Sequence, residues 1–307
     1  MGKKLLAVDF LNLAFRAYFA PGYQGLKAPD GRPSGATFGL LAMTQALIAA
    51  CGATHVVFAF ESKEPTWREE LDPAYKIGRP VQPEEFHQQK DQSNQFIGLM
   101  GWGRYRSPRH EADDTLATLS RRGLAAGFEH VYIATSDKDL FGTVTEGVSM
   151  LWTAQGMGKI KENTFTPARV REKYGVLPDL FADWKSLAGD ASDKISGCPG
   201  IGPQGATSLM QAFGSVEYLY RHLDEVKSVG LRKKLEAGRE QVLHSHKLVT
   251  LNFEADLTPE FDPDAGELGC DDREKTQKFL EAWGMRSILN RLPPVKVKAG
   301  SPADFDF

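Results

Sequence analysis

A chain of 307 residues with a formal net charge of -3 is long enough for one large domain or two small ones with a substantial core. Its 41% hydrophobic and 25% charged content suit a globular protein, and no apolar run approaches the roughly 20 residues of a membrane helix. The negative balance also argues against a nucleic-acid binder, which usually carries a basic excess.

In chain order, MGKKLLAVDFLNLAF begins with two lysines, as a secretory leader would, but Asp9 and Asn12 interrupt the apolar segment. A cytoplasmic location is therefore expected. The cysteines Cys51, Cys198 and Cys270 show no CxxC spacing and are expected to be reduced packing residues. LLAVDF (5–10), HVVFAF (55–60) and HVYIATSD (130–137) read as buried strands, each ending near an acid. Helices are predicted at 36–50 and 112–126. This alternation implies an α/β, Rossmann-like core with a mostly parallel central sheet, whose ligands bind at the carboxyl ends of the strands.

From about 62 to 110 a polar stretch, too long for a simple connection, predicts a functional insertion into a core spanning 1–175. After 176 the pattern turns helical, through LPDLFADWKSLAG, PQGATSLMQAFG, SVEYLYRHL and KKLEAGREQVLHSHKLVTL to a last helix near 272–290. A second, helical region is thus expected over 176–291. The polar tail, 292–307, is expected to be disordered, and its SPADFDF end is a candidate for docking on a replication partner.

Nine carboxylates lie in five clusters: Asp9, Glu61, HEADD (Glu111, Asp113, Asp114), SDKD (Asp137, Asp139) and GDASD (Asp190, Asp193). Singly, each has an ordinary explanation. Asp9 or Asp139 alone reads as a helix cap, and acids in a first helical turn answer the macrodipole. Together, at adjacent carboxyl ends of one sheet, they would repel one another strongly without a cation. An all-oxygen set with no histidine or cysteine at zinc spacing selects Mg²⁺ or Mn²⁺. Two such ions, about 3.5 to 4 Å apart, suit in-line attack on a phosphodiester, so the expected substrate is a nucleic acid. Removing the nine site acids from a net charge of -3 leaves the rest of the chain at +6, which weakens the charge objection.

GCPGIGPQGATSLM places glycines before a helix start, a pattern that turns backbone N–H groups toward a phosphate. GxxxxGK[ST] is absent, which excludes a nucleotide P-loop. What remains is a hairpin between helices, over about 183–213, that grips a nucleic-acid backbone without reading bases.

The order VDF, GATFGLL, FAFE, WREELDPAYKIGRP, HEADD, SDKD, GDASDKISGCPGIGPQGA resembles the 5′-nuclease family of 5′-3′ exonucleases and flap endonucleases, across about residues 4–290. The resemblance implies two Mg²⁺ ions, a helical arch formed by the insertion, and a helix-three-turn-helix motif that holds duplex DNA, often with a K⁺ ion. It implies Asp9, Glu61, Glu111 and Asp113 as ligands of the first metal. Asp137, Asp139 and Asp190 would serve the second, with Asp114 and Asp193 as outer or water-mediated partners. Arg68, Tyr75, Lys76 and Arg79 match arch positions that contact the scissile phosphate and stack on the terminal nucleotide, with Lys76 and Arg79 the catalytic cations. Gly200, Gly202, Gln204 and Gly205 match the DNA-gripping loop.

Three positions depart from the family pattern. Glu61 stands for the usual Asp, Phe10 for a glycine, and Gln204 for a common lysine. The resemblance implies a monomeric, structure-selective 5′ nuclease of replication or repair. Its substrates would be DNA with a 5′ flap, nick or 5′ end, and RNA primers in RNA-DNA hybrids are a second substrate class. A non-catalytic DNA-junction binder and a PIN-type RNase stand as alternatives.

Overall fold

The computed structural model describes residues 2–78, 81–155, 160, 162–269 and 271–295. Arg79, Cys270 and the tail from 296 onward therefore lie outside the described residues. The first strand, β1 (Lys4–Asp9), runs straight into α1 (Phe10–Phe19), and α2 (Gly35–Cys51) leads to β2 (His55–Ala59). Then come α3 (Trp67–Leu71), α4 (Glu84–Leu99), β3 (Gly103–Tyr105), α5 (Ala112–Ala125), β4 (His130–Thr135), β5 (Val148–Trp152) and β6 (Thr164–Phe165). The remainder is helical: α6 (Pro167–Tyr174), α7 (Phe181–Ala188), α8 (Pro203–Phe213), α9 (Val216–Arg221), α10 (Val229–Val249), α11 (Arg273–Ala282) and α12 (Arg286–Leu289).

The strands form one sheet in the order β3-β2-β1-β4-β5-β6. Pairing is parallel from β3 through β5 and antiparallel only between β5 and β6. Side chains alternate across a strand, and both faces are dry. Leu5 and Ala7 join Val57, Val131, Ile133 and the α5 residues Leu116 and Leu119 in one core, which continues into Leu209, Leu235 and Val242 of the helical region. Leu6 and Val8 join Phe58, Leu40, Leu41, Phe86, Phe96 and Leu280 in the other. Burial on both faces explains why these strands read as unbroken apolar runs.

The GATFGLL segment forms the α1–α2 contact. A Cβ at Gly39 would meet the Tyr23 ring at 2.5 Å and the Ala17 Cβ at 2.8 Å, so only glycine permits this approach. Phe10, at the glycine position of the family pattern, is buried and stacks on Phe60 with ring centroids 4.2 Å apart.

The insertion differs from a free-standing arch. Its second half, α4, packs on α2, with Gln89 Oε1 accepting from the Ala36 N–H at 2.7 Å and Thr37 donating to the Gln89 carbonyl at 3.1 Å. Next, β3 joins the sheet beside β2. Tyr75 and Lys76, just before residue 78, reach Glu111 beside the carboxyl ends of the strands.

Candidate metal and nucleic-acid site

Because β2, β1 and β4 are parallel neighbours, their carboxyl ends bring acids together from sequence positions far apart. Asp9 caps α1, accepting from the Asn12 N–H at 3.1 Å, while its second oxygen accepts from Thr135 Oγ1 at 2.9 Å. The cap and the site are one residue. Burial pushes its pKa up to about 7, with Glu61 and Asp137 adding to the rise and the two hydrogen bonds opposing it. Glu61 accepts from the Ala112 N–H at 3.1 Å, so it also answers the start of α5, where a negative charge is favoured.

HEADD divides into three roles. Glu111 is the N-cap residue of α5, and it receives Lys76 Nζ at 2.6 Å, the Tyr75 hydroxyl at 3.1 Å and Arg68 at 3.3 Å. Asp113 faces the shared acidic bowl. Its pKa is raised well above the ordinary carboxylate range, first by burial, then by Asp137, Glu111 and Asp9 against the pull of Lys76. Asp114 turns away and is fully buried.

Its two oxygens accept from Arg68 Nη1 at 2.5 Å and Nη2 at 3.0 Å, and Oδ1 also takes the Asn252 N–H at 2.8 Å. Asp114, expected as an outer metal partner, spends its lone pairs on Arg68 and the chain after α10, and Arg68 in turn reaches Glu111 at 3.3 Å. The Arg68 side chain is 3% exposed, and it also donates to the carbonyls of Leu248 at 2.7 Å and Thr250 at 3.2 Å, so this guanidinium is an internal tie rather than a phosphate contact.

Tyr75 is likewise buried. It packs with Ile195, Leu248 and Val249, and burial followed by the Glu111 charge raises the pKa of its hydroxyl. The expected stacking face is covered here. Lys76 is half-buried at the mouth, held by Glu111, with a left-handed backbone at φ 54°.

Two groups of carboxylates offer oxygens that all lie within 4.8 Å of one another: Asp113, Asp137 and Asp139, and then Asp139, Asp190 and Asp193. Asp139 belongs to both. Asp137 thus sits with both Asp113 and Asp139, and Asp193 stands beside Asp190. Oxygen donors only, in overlapping groups, fit hard divalent ions such as Mg²⁺ or Mn²⁺.

The second group holds a residue that the sequence pattern did not flag. Lys185 of α7 is 3% exposed at its side chain and reaches Asp139, Asp190 at 3.2 Å and Asp193 at 3.4 Å. Burial opposes its charge, yet the three carboxylates raise its pKa. Asp139 is pushed up to about 6 by burial, with Lys185 opposing and Asp137 adding. At Asp190 burial works upward, but the Ser192 hydroxyl and then Lys185 bring its pKa down to about 2. The available signal was helical spacing, since Lys185 lies four residues after the buried Phe181, on the core face of α7.

The glycine loop connects α7 to α8. Asp190 and Ile195 exchange two backbone hydrogen bonds of 2.9 Å, closing a tight turn that presents Asp190 to the acids. Beyond it, Gly200 adopts φ 75°, a left-handed conformation suited to glycine. Gly200, Gly202 and Gln204 are exposed, while Gly205 is half-buried in the first turn of α8. Lys234 of α10 donates to the Gly200 carbonyl at 3.2 Å, which sets a cation beside the loop. Cys51 and Cys198 are free, buried thiols. No helix among the described residues is long and apolar enough to cross a membrane.

A parallel sheet that ends in overlapping carboxylate groups, followed by a helix-loop-helix unit, defines an α/β protein with an acidic candidate metal site and an appended helical module. Residues 4–175 match the model of the 5′-3′ exonuclease N-terminal resolvase-like domain, and residues 176–271 match that of the 5′-3′ exonuclease C-terminal SAM fold. The chain belongs to the 5′-3′ exonuclease family. It is 36% identical over 287 residues to the thermostable DNA polymerase I of Thermus thermophilus, covering 94% of this chain and 33% of that one. The chain therefore spans about a third of the length of such relatives.

Its fold is shared with a bacteriophage T5 flap endonuclease solved as a pseudo-enzyme–product complex with DNA and metal ions. That match has a TM-score of 0.68 and 19% identity, over 94% of this chain and 100% of that one. The catalytic core of Rad2 in complex with DNA substrate is also similar, with a TM-score of 0.59 and 14% identity over 95% and 91% of the two chains.

Proposed function

We propose that this chain is a Mg²⁺-dependent, structure-selective 5′ nuclease that hydrolyses DNA phosphodiesters beside the junction of a single-stranded 5′ end and a duplex. RNA primers paired with DNA belong to the same substrate class. The observation that carries this reading is the sharing of Asp139 between two carboxylate groups, one of which continues through Asp190 into an exposed glycine loop.

Asp113, Asp137 and Asp139, ringed by Asp9, Glu61 and Glu111, would hold one ion. Asp139, Asp190 and Asp193 would hold the other, and Mn²⁺ would substitute for Mg²⁺. Such ions, when bound, lower the pKa of a water and stabilise charge on the attacking and leaving oxygens.

The chain's own residues perform the remaining tasks. Lys76 brings positive charge to the mouth of the bowl, where a transferring phosphoryl group develops negative charge, and the resemblance assigns the same task to Arg79. The Gly200–Gly205 loop and the first turn of α8 offer backbone N–H groups to a duplex phosphate, and a K⁺ at the loop belongs to this reading. Such contacts fix register without reading bases, so selectivity follows the shape of the junction. Because the turn from Asp190 to Ile195 links loop and acids, the gripped phosphate would lie at a set distance from the cut. The protein acts as a monomer in this reading, in replication or repair.

Product mapping on 5′-flap, nicked and blunt duplexes with Mg²⁺ tests the proposal. Cleavage near the junction is expected, lost with EDTA and lost in Asp139→Asn, while DNA binding by that variant persists. Wild-type turnover that resists EDTA would sink the metal mechanism, and binding without cleavage by the wild type would favour a non-catalytic junction binder.

A further inference from the structure

Lys185 presents a contradiction if the Asp139, Asp190 and Asp193 group exists only to hold a divalent ion. Its ammonium is buried and touches all three carboxylates of that group. A lysine is seldom fully buried unless paired, and here its pairing uses the same residues a metal would use. An ion taking up these oxygens would meet the ammonium at contact distance, where the two cations repel and compete for the same lone pairs.

We propose that Lys185 is the resident counter-ion of the second metal site: it neutralises the group in the metal-free protein and is displaced when a divalent ion enters. The inference rests on the reading that this group binds a metal. Three features support displacement over a fixed structural tie.

Lys185, with Lys138 Nζ 3.9 Å from Asp190 at the rim, still leaves three carboxylates under-neutralised, so a doubly charged ion answers them better. The lysine stem has four rotatable carbons, whereas two of the three acids are fixed. Asp190 is pinned by its backbone pair with Ile195 and by the Ser192 N–H at 2.9 Å, and Asp139 follows the turn in which its N–H donates to Asp137 at 3.0 Å. The moving part is therefore the lysine. Finally, the group borders open space lined by Ser136, Asp137, Lys138, Asp190, Ser192 and Asp193, into which a released side chain can turn. Site occupancy would then be an exchange of cations, with the folded acids held in place in both states.

The test uses the full chain and Mn²⁺ as the probe. Bound ions are counted by the loss of the free Mn²⁺ spin-resonance signal, and lysines are footprinted by reductive methylation with mass spectrometry. In EDTA Lys185 is expected to be protected. As the second Mn²⁺ binds, its labelling should rise several-fold, while exposed lysines such as Lys275 keep their rate. In Lys185→Met the weaker Mn²⁺ site should tighten by about tenfold or more, the order expected on removing a unit charge at hydrogen-bond distance. Its melting temperature in EDTA should fall, and Mn²⁺ should recover more of it than in the wild type.

Two bound Mn²⁺ ions with Lys185 still protected would overturn the inference and leave the metal reading intact. Failure to bind any Mn²⁺ would overturn the metal reading and this inference with it. Should Lys185→Met not fold, the wild-type footprint decides alone.

Discussion

Arg68 and Asp114 form a two-pronged ion pair in the interior, with guanidinium-to-carboxylate distances of 2.5 and 3.0 Å across 46 residues of sequence. The pair ties α3, at the start of the insertion, to α5, beneath the acidic bowl, and through the Leu248 and Thr250 carbonyls to the end of α10. Removing one partner strands the other charge where water cannot reach it. Arg68→Met is therefore expected to cost about 3 to 5 kcal/mol of stability, read by denaturant unfolding. Arg68→Met with Asp114→Leu should recover part of that loss. A single variant within about 0.5 kcal/mol of the wild type, as for an ordinary surface change, would return Arg68 to a substrate-facing role.

A pH dependence follows from Asp9. In the folded, metal-free protein it keeps its proton up to about pH 7 because of its burial, whereas an unfolded chain releases it near pH 4. Between those values the folded state binds more protons, so its stability falls as pH rises, by up to about 1.4 kcal/mol per pH unit. The rise at Asp139, to about 6, acts in the same direction. Mg²⁺, if it binds as proposed, requires the ionised acids, so it should bind more tightly as pH rises through this window and offset the loss. Melting curves in EDTA from pH 5 to 7.5 should slope downward, and excess Mg²⁺ should flatten or reverse the slope. Asp9→Asn should have a shallower slope in EDTA. An identical slope in that variant would remove Asp9 from the account.

Lys76 makes a third expectation specific. It pairs with Glu111 at 2.6 Å at the mouth of the bowl, so in the proposed reaction its charge would stand near the scissile phosphate rather than along the duplex. In Lys76→Ala, single-turnover cleavage of a 5′-flap should slow by about 10²-fold, the range seen when one charge-stabilising donor is removed. Equilibrium DNA binding should change by no more than a few-fold. Equal losses in both would make Lys76 a binding residue alone.

Much of the site was legible because parallel strands buried on both faces announce themselves as apolar runs, and their carboxyl ends carried the acids. The overlap of roles at Asp9, cap and site acid together, was open in the sequence and is resolved by its two oxygens facing different donors. The α4 segment was obscured because its buried face includes Gln89 and Ser93. Those groups are satisfied by Ala36, Thr37 and the helix itself, so no apolar period marks them. The turning of Asp114 away from Asp113 was hidden for another reason. Its partner Arg68 comes from the insertion, and residue spacing along α5 carries no information about what packs against it. Lys185 was hidden similarly, since a lone lysine in a helix reads as solvated until its long-range partners are known.

Gln204 offers a last test, at the loop rather than the acids. It is exposed in the first turn of α8, near the Gly200 carbonyl that receives Lys234, where the family commonly carries a lysine. A glutamine there can donate to a phosphate but releases no counterion, so binding should depend on salt less steeply than with lysine. Gln204→Lys should raise affinity for a nicked duplex at low salt and steepen the plot of log affinity against log salt by about 0.9, one phosphate contact's share. The cleavage position should not move, because the turn from Asp190 to Ile195 that relates loop to acids is untouched. Fluorescence anisotropy across a salt series measures the slope, and product mapping checks the position. An unchanged slope would place the duplex away from this end of the loop, and a shifted cut would mean that the side chain at 204 sets register as well as grip.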